Sequence, residues 1–366
     1  MRDGDETRTR LAAWLRSQLG DADEVRVEGL GRVEVGHSAE MLVLTIVWRT
    51  RRGEERRDVV VRLRPPSPGL LEPYDLARQF RILRALEGTA VKAPRALWLE
   101  SSGDVLGRPF FVMERLDGDV YERVVPAELD ADPARIRRMS ESLVDQIATI
   151  HRVDLAASGL ADLGDGRDYL DRELARWSGE MRRVARGPLP ALERLLATLR
   201  EHQPEPCPTI TLVHGDAKPG NFAFVGSEVS AVFDWEMADV GDPLADIGWA
   251  EITWRTPSIT SRPSSLSADE FVARWEELTG IRARQREWYR ALQTYKMAVI
   301  MLVGGMLFDA GHSDDLRLAE MARVVPLVTE LALRELRVAD RPDHGPVEVR
   351  AERVKEVKQR TARAPR

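Results

Sequence analysis

The stretch LVHGDAKPGNFAFVGSEVSAVFDWE, residues 212–236, constrains the fold of this chain more than any other part of its sequence. It combines three polar side chains, Asp216, Asn221 and Asp234, with two short apolar segments of strand-like composition. The turn GSE separates these segments, so they are predicted to pair as a β-hairpin. Because a hairpin returns the chain alongside itself, Asn221 and Asp234 are predicted to approach each other.

The chemistry of these three side chains narrows the interpretation. A converging amide oxygen and carboxylate form a hard oxygen site, which suits Mg²⁺, an ion that keeps several waters and takes phosphate oxygens as further ligands. Asp216 comes just before that site and can accept a proton from, or orient, a hydroxyl that attacks a phosphoryl group. The D-x₄-N spacing followed by an Asp after a strand is the arrangement of protein-kinase catalytic loops. The alternative, a set of unrelated turn and capping residues, explains this ordered set less well.

Length, charge and cysteine content indicate a two-lobed protein and argue against nucleic-acid binding, membrane binding and a disulfide framework. The chain has 366 residues, enough for a well-buried core divided between two lobes. Its 54 basic and 60 acidic residues leave a net charge of −6, which gives no bulk attraction to nucleic acid or to an anionic membrane. The single cysteine, Cys207, excludes an intrachain disulfide framework and a thiolate metal cage, and it fits a reducing cytoplasm.

No membrane partner is expected from the distribution of apolar residues. The N-terminal sequence MRDGDETRTR carries charge where a signal peptide needs an apolar segment. The most apolar run, Ala298 to Phe308, has 11 residues, whereas a membrane span needs about 20. This run is therefore predicted to be a buried core helix.

The order of the elements predicts an α+β, protein-kinase-like bilobal fold. Strand-like sequence and two helices, one over the first 20 residues and one over YDLARQFRILRALEG, fill the first part of the chain. Helices dominate after Gly118, interrupted by the hairpin described above. We expect a mostly antiparallel β N-lobe at residues 1–116 that binds nucleotide, and a mostly helical C-lobe at residues 117–339 with the catalytic loop, the metal-binding loop and the acceptor site. Residues 340–366 carry eight Lys/Arg and five Asp/Glu and are expected to form a mobile charged tail.

The motif HGDAKPGN together with FDWE resembles the aminoglycoside phosphotransferase family, kinase-like enzymes of small molecules that are similar to choline kinases. Within that family, the sequence looks especially like the branch related to the kinase domains fused to some acyl-CoA dehydrogenases. The resemblance extends from Glu28 to Leu336 and is specific because its motifs occur in order. It implies an ATP- and Mg²⁺-dependent enzyme that moves the γ-phosphate to a hydroxyl of a small molecule. The further motifs are VGHSAE, VVVRL, YDLARQFRIL, FFVMERLDG and DVGDPLADIGW.

The resemblance implies catalytic and metal-binding roles for four residues. Asp216 becomes the catalytic base or the residue that orients the substrate hydroxyl, and Lys218 a cation that neutralises charge on the transferring phosphoryl group. Asn221 and Asp234 become the ligands of Mg²⁺.

The resemblance also implies a nucleotide site. Gly36 and Ser38 would approach the β- and γ-phosphates through backbone N–H groups. Arg62 takes the place of the phosphate-binding cation on the third strand. Glu114 and Leu116 fall in the hinge, where main-chain groups would meet the base. The nucleotide is expected to be ATP, with GTP left open, and the chain to be a monomer or homodimer.

Two positions depart from the family pattern, which places Lys on the third strand and Glu on the following helix. Here the corresponding residues are Arg62 and Gln79. Arginine can still bind phosphate, even bidentately, but neutral Gln79 cannot form an ion pair, so a hydrogen bond to its amide oxygen is the expected substitute. Arg64 is the competing candidate for the cation. This departure supports an alternative function, a catalytically weak nucleotide-binding pseudokinase with a regulatory role.

The acceptor stays open among aminoglycosides, macrolides, hydroxyacyl-CoAs and other metabolites. Arg255 and Arg262, in the segment WRTPSITSRPSS, favour a neutral or anionic acceptor over a polycation. Asp246 is expected to hydrogen-bond the catalytic loop and His151 to pack beneath it, while Glu236 is expected either near the metal or at the surface.

Overall fold

The computed structural model describes residues 2–20, 22–35, 39–254, 256–336 and 358. The predicted nucleotide-loop residues Gly36 and Ser38 lie outside the described residues, as do Arg255 and, apart from Lys358, the predicted tail at residues 340–366. The chain divides into two compact units. The first comprises Met1–Val120 with Phe222–Glu236, and the second comprises Tyr121–Asn221 with Met237–Arg366.

The secondary structure confirms the predicted order of strands and helices. The strands are β1 (Glu24–Val35), β2 (Ala39–Thr50), β3 (Gly53–Leu63), β4 (Ala96–Glu100), β5 (Phe110–Glu114), β6 (Asp119–Val120), β7 (Thr211–Val213), β8 (Phe222–Val225), β9 (Glu228–Val232) and β10 (Asp239–Gly241). The helices are α1 (Arg2–Gln18), α2 (Leu76–Leu86), α3 (Ala127–Asp130), α4 (Pro133–His151), α5 (Tyr169–Val184), α6 (Pro190–Glu201), α7 (Leu244–Trp254), α8 (Ala268–Thr279), α9 (Arg286–Asp309), α10 (Leu316–Arg323) and α11 (Val325–Glu335).

The first unit is built on a five-stranded antiparallel sheet in the order β1-β2-β3-β5-β4. Alternate residues of β3, among them Val61 and Leu63, are buried in an apolar core together with Leu11 and Leu15 of α1. Side chains alternate between the two faces of a strand. Arg62 therefore lies on the opposite face from the side packed against α1.

A smaller sheet of the order β6-β8-β9 completes the first unit and contains the predicted hairpin. Gly118, just before β6, has φ +147°, and an added Cβ there would clash with the Ser230 side chain. Only glycine accepts both the backbone angle and the close approach. This residue therefore lets β6 lie against the hairpin.

The second unit is mostly helical, and α9 is its central element. This helix packs against α5, α6, α7, α10 and α11. By length and composition α9 could cross a membrane, but 72% of its most apolar window is buried inside the protein. Surrounded by other helices, the Ala298–Phe308 run is core, as predicted.

The short antiparallel pair β7–β10 lies at the start of the predicted catalytic loop, residues 214–221. Val213, the last residue of β7, pairs with Asp239 of β10. The loop that follows β7 leads to a 3₁₀ turn at Pro219–Asn221. The predicted α+β class is thus confirmed, with antiparallel strands in the first unit and helices dominating the second.

Candidate active site

The backbone of the catalytic loop is held by the buried carboxylate of Asp246, in the first turn of α7. Asp246 Oδ2 accepts from the backbone N–H of His214 at 2.7 Å, and Oδ1 accepts from that of Gly215 at 2.8 Å. Burial by itself raises the pKa of this carboxyl, but hydrogen bonds from His151 and the His214 backbone outweigh burial and hold the pKa below its ordinary value. The prediction that Asp246 hydrogen-bonds the loop is confirmed.

His151, at the C-terminal end of α4, extends this support beneath the loop. Trp275 Nε1 lies 2.9 Å from His151 Nδ1, and His151 Nε2 lies 3.1 Å from Asp246 Oδ2. Because an indole N–H can only donate, Nδ1 accepts, and Nε2 carries the proton that it donates to Asp246. The packing role predicted for His151 is confirmed, and Trp275 sets its tautomer.

Gly215, directly before Asp216, is required by the geometry of the loop. Its φ is +79°, a left-handed conformation that glycine adopts without steric cost. An added Cβ would also clash with the carbonyl oxygen of Met237. The loop can therefore turn towards Asp216 only with glycine here.

Asp216 and Asn221 are brought into direct contact by the 3₁₀ turn. Asn221 Nδ2 donates to both the backbone oxygen and Oδ2 of Asp216, each at 2.8 Å. Asp216 Oδ1 is buried and has no hydrogen-bond partner. One carboxylate oxygen is thus held in place by Asn221, and the other has no hydrogen-bond donor among the described residues of the protein.

Lys218 lies beside this pair at longer range. Its Nζ is 3.7 Å from Asp216 Oδ2 and 3.9 Å from Glu122 Oε1. The Lys218 side chain is about one-third exposed, at 34%, so solvent screens both interactions. Lys218 therefore adds positive charge next to Asp216.

Arg62 is the predicted phosphate-binding cation, and it is held by two carboxylates of its own unit. Its Nη2 lies 3.1 Å from Asp234 Oδ1 and 2.7 Å from Glu236 Oε2. Burial alone would lower the pKa of this guanidinium, but the two carboxylates outweigh burial and raise the pKa.

Arg62 is buried, whereas Arg64, the competing candidate for the phosphate-binding cation, is exposed. The expected hydrogen bond to Gln79 is wrong, since both side-chain hydrogen bonds of Arg62 go to these acids.

Asp234 has a strained backbone, with φ +63°. Residues other than glycine adopt this left-handed conformation infrequently, and such residues cluster at functional sites. Asp234 follows β9 by two residues, and its side chain is 26% exposed. The backbone strain thus falls on the residue whose side chain the sequence predicts to be a metal ligand.

The two predicted hinge residues, Glu114 and Leu116, differ in their exposure to solvent. Glu114 ends β5, its side chain is exposed, and its backbone N–H donates to the Arg95 carbonyl at 2.9 Å. That N–H is therefore engaged within the protein. Leu116 lies just beyond the strand and is half-buried.

One residue of the loop environment was not singled out by the sequence. Lys296 of α9 is buried, and its Nζ donates to the Gly215 carbonyl at 2.6 Å. The ammonium lies 4.8 Å from the ring centroid of Trp249 and 5.7 Å from that of Trp177, within cation–π range. Burial lowers its pKa. The sequence signal was a lysine two residues before the apolar run Ala298–Phe308.

Asn221 and Asp234, the two predicted magnesium ligands, each retain an oxygen of the kind that Mg²⁺ binds. Among the described residues, no group of three or more His, Cys, Asp or Glu side chains could hold a metal ion. Both hydrogen bonds of the Asn221 side chain use Nδ2, which leaves its amide oxygen as a ligand. The Asn221 amide oxygen and the partly exposed Asp234 carboxylate are each a ligand type that Mg²⁺ accepts when phosphates and water complete its shell.

Comparison with known sequences identifies relatives of this chain. The phosphotransferase enzyme family (APH) matches it over residues 47–291. Acyl-CoA dehydrogenase family member 10 of Mus musculus is 34% identical over 204 residues, which are 55% of this chain and 19% of that protein. The chain therefore spans about one-fifth of the length of this relative.

Solved structures share the fold over nearly the whole chain. A candidate aminoglycoside phosphotransferase of Ralstonia eutropha JMP134 is 23% identical, with a TM-score of 0.71 over 91% of this chain and 99% of that one. A thermostable mutant of aminoglycoside phosphotransferase APH(4)-Ia, in a ternary complex with ADP and hygromycin B, is 16% identical, with a TM-score of 0.57 over 88% and 98% of the two chains. The family match covers more than half of the sequence, and so this chain belongs to the APH phosphotransferase enzyme family.

Proposed function

We propose that the protein is an ATP- and Mg²⁺-dependent phosphotransferase that moves the γ-phosphate to a hydroxyl of a small molecule in the cytoplasm. The observation that carries this proposal is the environment of Asp216. One of its oxygens is held by Asn221, and the other is buried without a hydrogen-bond partner. An unsatisfied buried acceptor is costly and uncommon in folded proteins. A proton-donating substrate at this oxygen accounts for it.

In the proposed reaction, the acceptor hydroxyl gives its proton to Asp216 Oδ1 while its oxygen forms a bond to the γ-phosphorus. The bond from that phosphorus to the β–γ bridging oxygen breaks, and ADP leaves with the electron pair. Lys218 stabilises negative charge on the transferring group, and Arg62 binds the nucleotide phosphates.

Gly36 and Ser38 supply backbone N–H groups to the phosphates in this proposal, and the main chain around Glu114 and Leu116 meets the adenine base.

In this proposal Asn221 and Asp234 are the residues that would each supply one oxygen ligand to Mg²⁺. When bound, the ion neutralises charge on the β- and γ-phosphates. The strained backbone of Asp234 and the Nδ2-only hydrogen bonding of Asn221 support these assignments.

Family membership and the fold support a small hydroxyl-bearing acceptor. The similar APH(4)-Ia structure holds ADP and hygromycin B, a nucleotide and a small molecule. The neutral or anionic acceptor favoured by Arg255 and Arg262 stays a prediction: Arg262 Nε lies 3.2 Å from Asp130 Oδ1, and Arg255 lies outside the described residues. Aminoglycosides, macrolides and hydroxyacyl-CoAs therefore belong together in an acceptor screen.

The test is an ADP-release assay of the purified protein with ATP and Mg²⁺ against those three classes of acceptor. We expect acceptor-dependent ADP release by the wild type, and loss of release by Asp216→Asn with Mg²⁺-ATP still raising its melting temperature. Asp165→Asn, an exposed loop position, is the matched control and should behave as the wild type. Full turnover by Asp216→Asn would overturn the assignment. Stabilisation by ATP without turnover on any acceptor would favour the regulatory pseudokinase.

A further inference from the structure

The buried guanidinium of Arg62 raises the question of which acid positions it for phosphate binding. Its side chain is 4% exposed, and a buried charge is tolerated only when it is paired and hydrogen-bonded. The helix that precedes β4 offers Gln79 at the matching place, and a neutral amide cannot pair with a cation. The pairing therefore falls to the two acids in contact with it, Asp234 and Glu236.

These two acids are not equivalent. Asp234 makes the longer contact, 3.1 Å, and its side chain is 26% exposed, whereas Glu236 makes a contact of 2.7 Å and is 5% exposed. The proposed function also assigns Asp234 to the metal ion. A carboxylate that binds a dication attracts the guanidinium less strongly. Only Glu236 can therefore hold Arg62 both before and after metal and nucleotide bind.

We propose that Glu236 is the positioning residue that holds Arg62 for the nucleotide phosphates, in place of an acid on α2. This inference rests on the proposed function, which assigns Arg62 to the phosphates. Glu236 supplies the ion pair from the segment that carries Asp234, so the phosphate-binding cation and the metal-binding acid are anchored to the same short stretch of chain. Its role is exerted through Arg62.

The residues around Arg62 allow a test in which the carboxylate is removed from position 236 and introduced at position 79 of α2. Arg62 pairs with Phe111 across β3 and β5, and Phe80 of α2 contacts the Phe111 ring, with centroids 6.2 Å apart. Gln79 precedes Phe80 and is itself buried, at 5% exposure. Gln79→Glu would thus place a carboxylate on the helix next to the strand pair that holds Arg62.

The decisive experiment is a double-mutant cycle between positions 62 and 236, with Mg²⁺-ATP affinity measured by calorimetry. Glu236→Gln should weaken binding about tenfold in the wild-type background, the effect of losing one charge-assisted hydrogen bond. In the Arg62→Met background, Glu236→Gln should alter the affinity for Mg²⁺-ATP less than about twofold, because the guanidinium that Glu236 positions is absent. Glu55→Gln, an exposed change on β3, should leave affinity unchanged. In the ADP-release assay, Glu236→Gln should raise the KM for ATP more than it lowers kcat.

A rescue experiment separates this role from direct metal binding. Gln79→Glu combined with Glu236→Gln should recover most of the lost affinity, whereas Gln79→Glu alone should change it little. If Glu236→Gln does not fold, the rescued double variant and Glu236→Asp replace it in the cycle, compared by their melting temperatures without ligand.

Each outcome of the cycle decides for or against Glu236. Equal losses in both backgrounds, or no recovery with Gln79→Glu, would show that Glu236 acts on the metal or the fold directly and overturn the inference. Unchanged affinity of a folded Glu236→Gln would also overturn it. A wild type that binds no Mg²⁺-ATP would instead remove the proposed function, and this inference with it.

Discussion

Lys296 donates a 2.6 Å hydrogen bond to the backbone carbonyl of Gly215, the residue that precedes Asp216. The ammonium group is buried, and desolvation lowers its pKa. A buried lysine is costly unless it is paired or hydrogen-bonded. This contact therefore ties the central helix of the second unit to the chain at Asp216.

Lys296→Met tests whether that contact positions Asp216. Methionine fills a similar volume but leaves the Gly215 carbonyl without its donor. A small displacement of a catalytic group is costly, so we expect kcat to fall about 10- to 100-fold while the KM for ATP stays unchanged. Steady-state kinetics with Lys92→Met, an exposed site, serve as control. An unchanged kcat in a folded Lys296→Met protein would show that the Lys296 side chain contributes only to core packing and does not position Asp216.

Gly215→Ala should destabilise the protein more than an alanine at a comparable glycine. Gly215 and Gly280 both have positive φ, +79° and +73°, but only at Gly215 would a Cβ clash with backbone. Gly280→Ala should cost about 1 kcal/mol from the backbone angle alone. Gly215→Ala should cost more and also remove activity. Equal losses of unfolding free energy in urea titrations would contradict the steric argument.

Asp246→Asn should change the acid stability of the protein. The pKa of Asp246 is held below its ordinary value of 3.8 in the folded state, so the carboxylate stabilises the fold above that ordinary value and loses the contribution as pH falls through the lowered one. At neutral pH we expect a loss of about 1–3 kcal/mol. The difference between wild type and variant in unfolding free energy should shrink from about pH 5 to pH 3. A pH-independent difference would contradict this account.

The strained backbone of Asp234 predicts a difference between two substitutions that both remove its carboxylate. Asp234→Gly relieves the left-handed conformation, φ +63°, and Asp234→Ala does not. The glycine variant should therefore be more stable by about 1–2 kcal/mol. Both variants should lose the Mg²⁺-dependent part of their stabilisation by ATP in thermal melts. A more stable alanine variant would show that the backbone is not strained.

Local patterns made much of this protein predictable. The alternation along β3 placed Arg62 on the face away from the apolar core, since side-chain direction in a strand follows from backbone geometry. Asp216 and Asn221 are five residues apart, and one turn of chain brings them together. In both cases the covalent chain itself limits where the groups can lie.

The partners of buried charges were not predictable in this way. The sequence suggested Gln79 as the partner of Arg62, but Glu236, 174 residues away, pairs with it. Lys296 and Gly215 are separated by 81 residues.

The sequence by itself thus determined the order of strands and helices, the family motifs and the spacing of Asp216, Asn221 and Asp234. Only the tertiary structure decided which acid neutralises Arg62 and which carbonyl receives the Lys296 ammonium. The physical reason is that many charged residues could pair equally well in the unfolded chain. The packing of whole elements selects the few that are buried together and must satisfy one another.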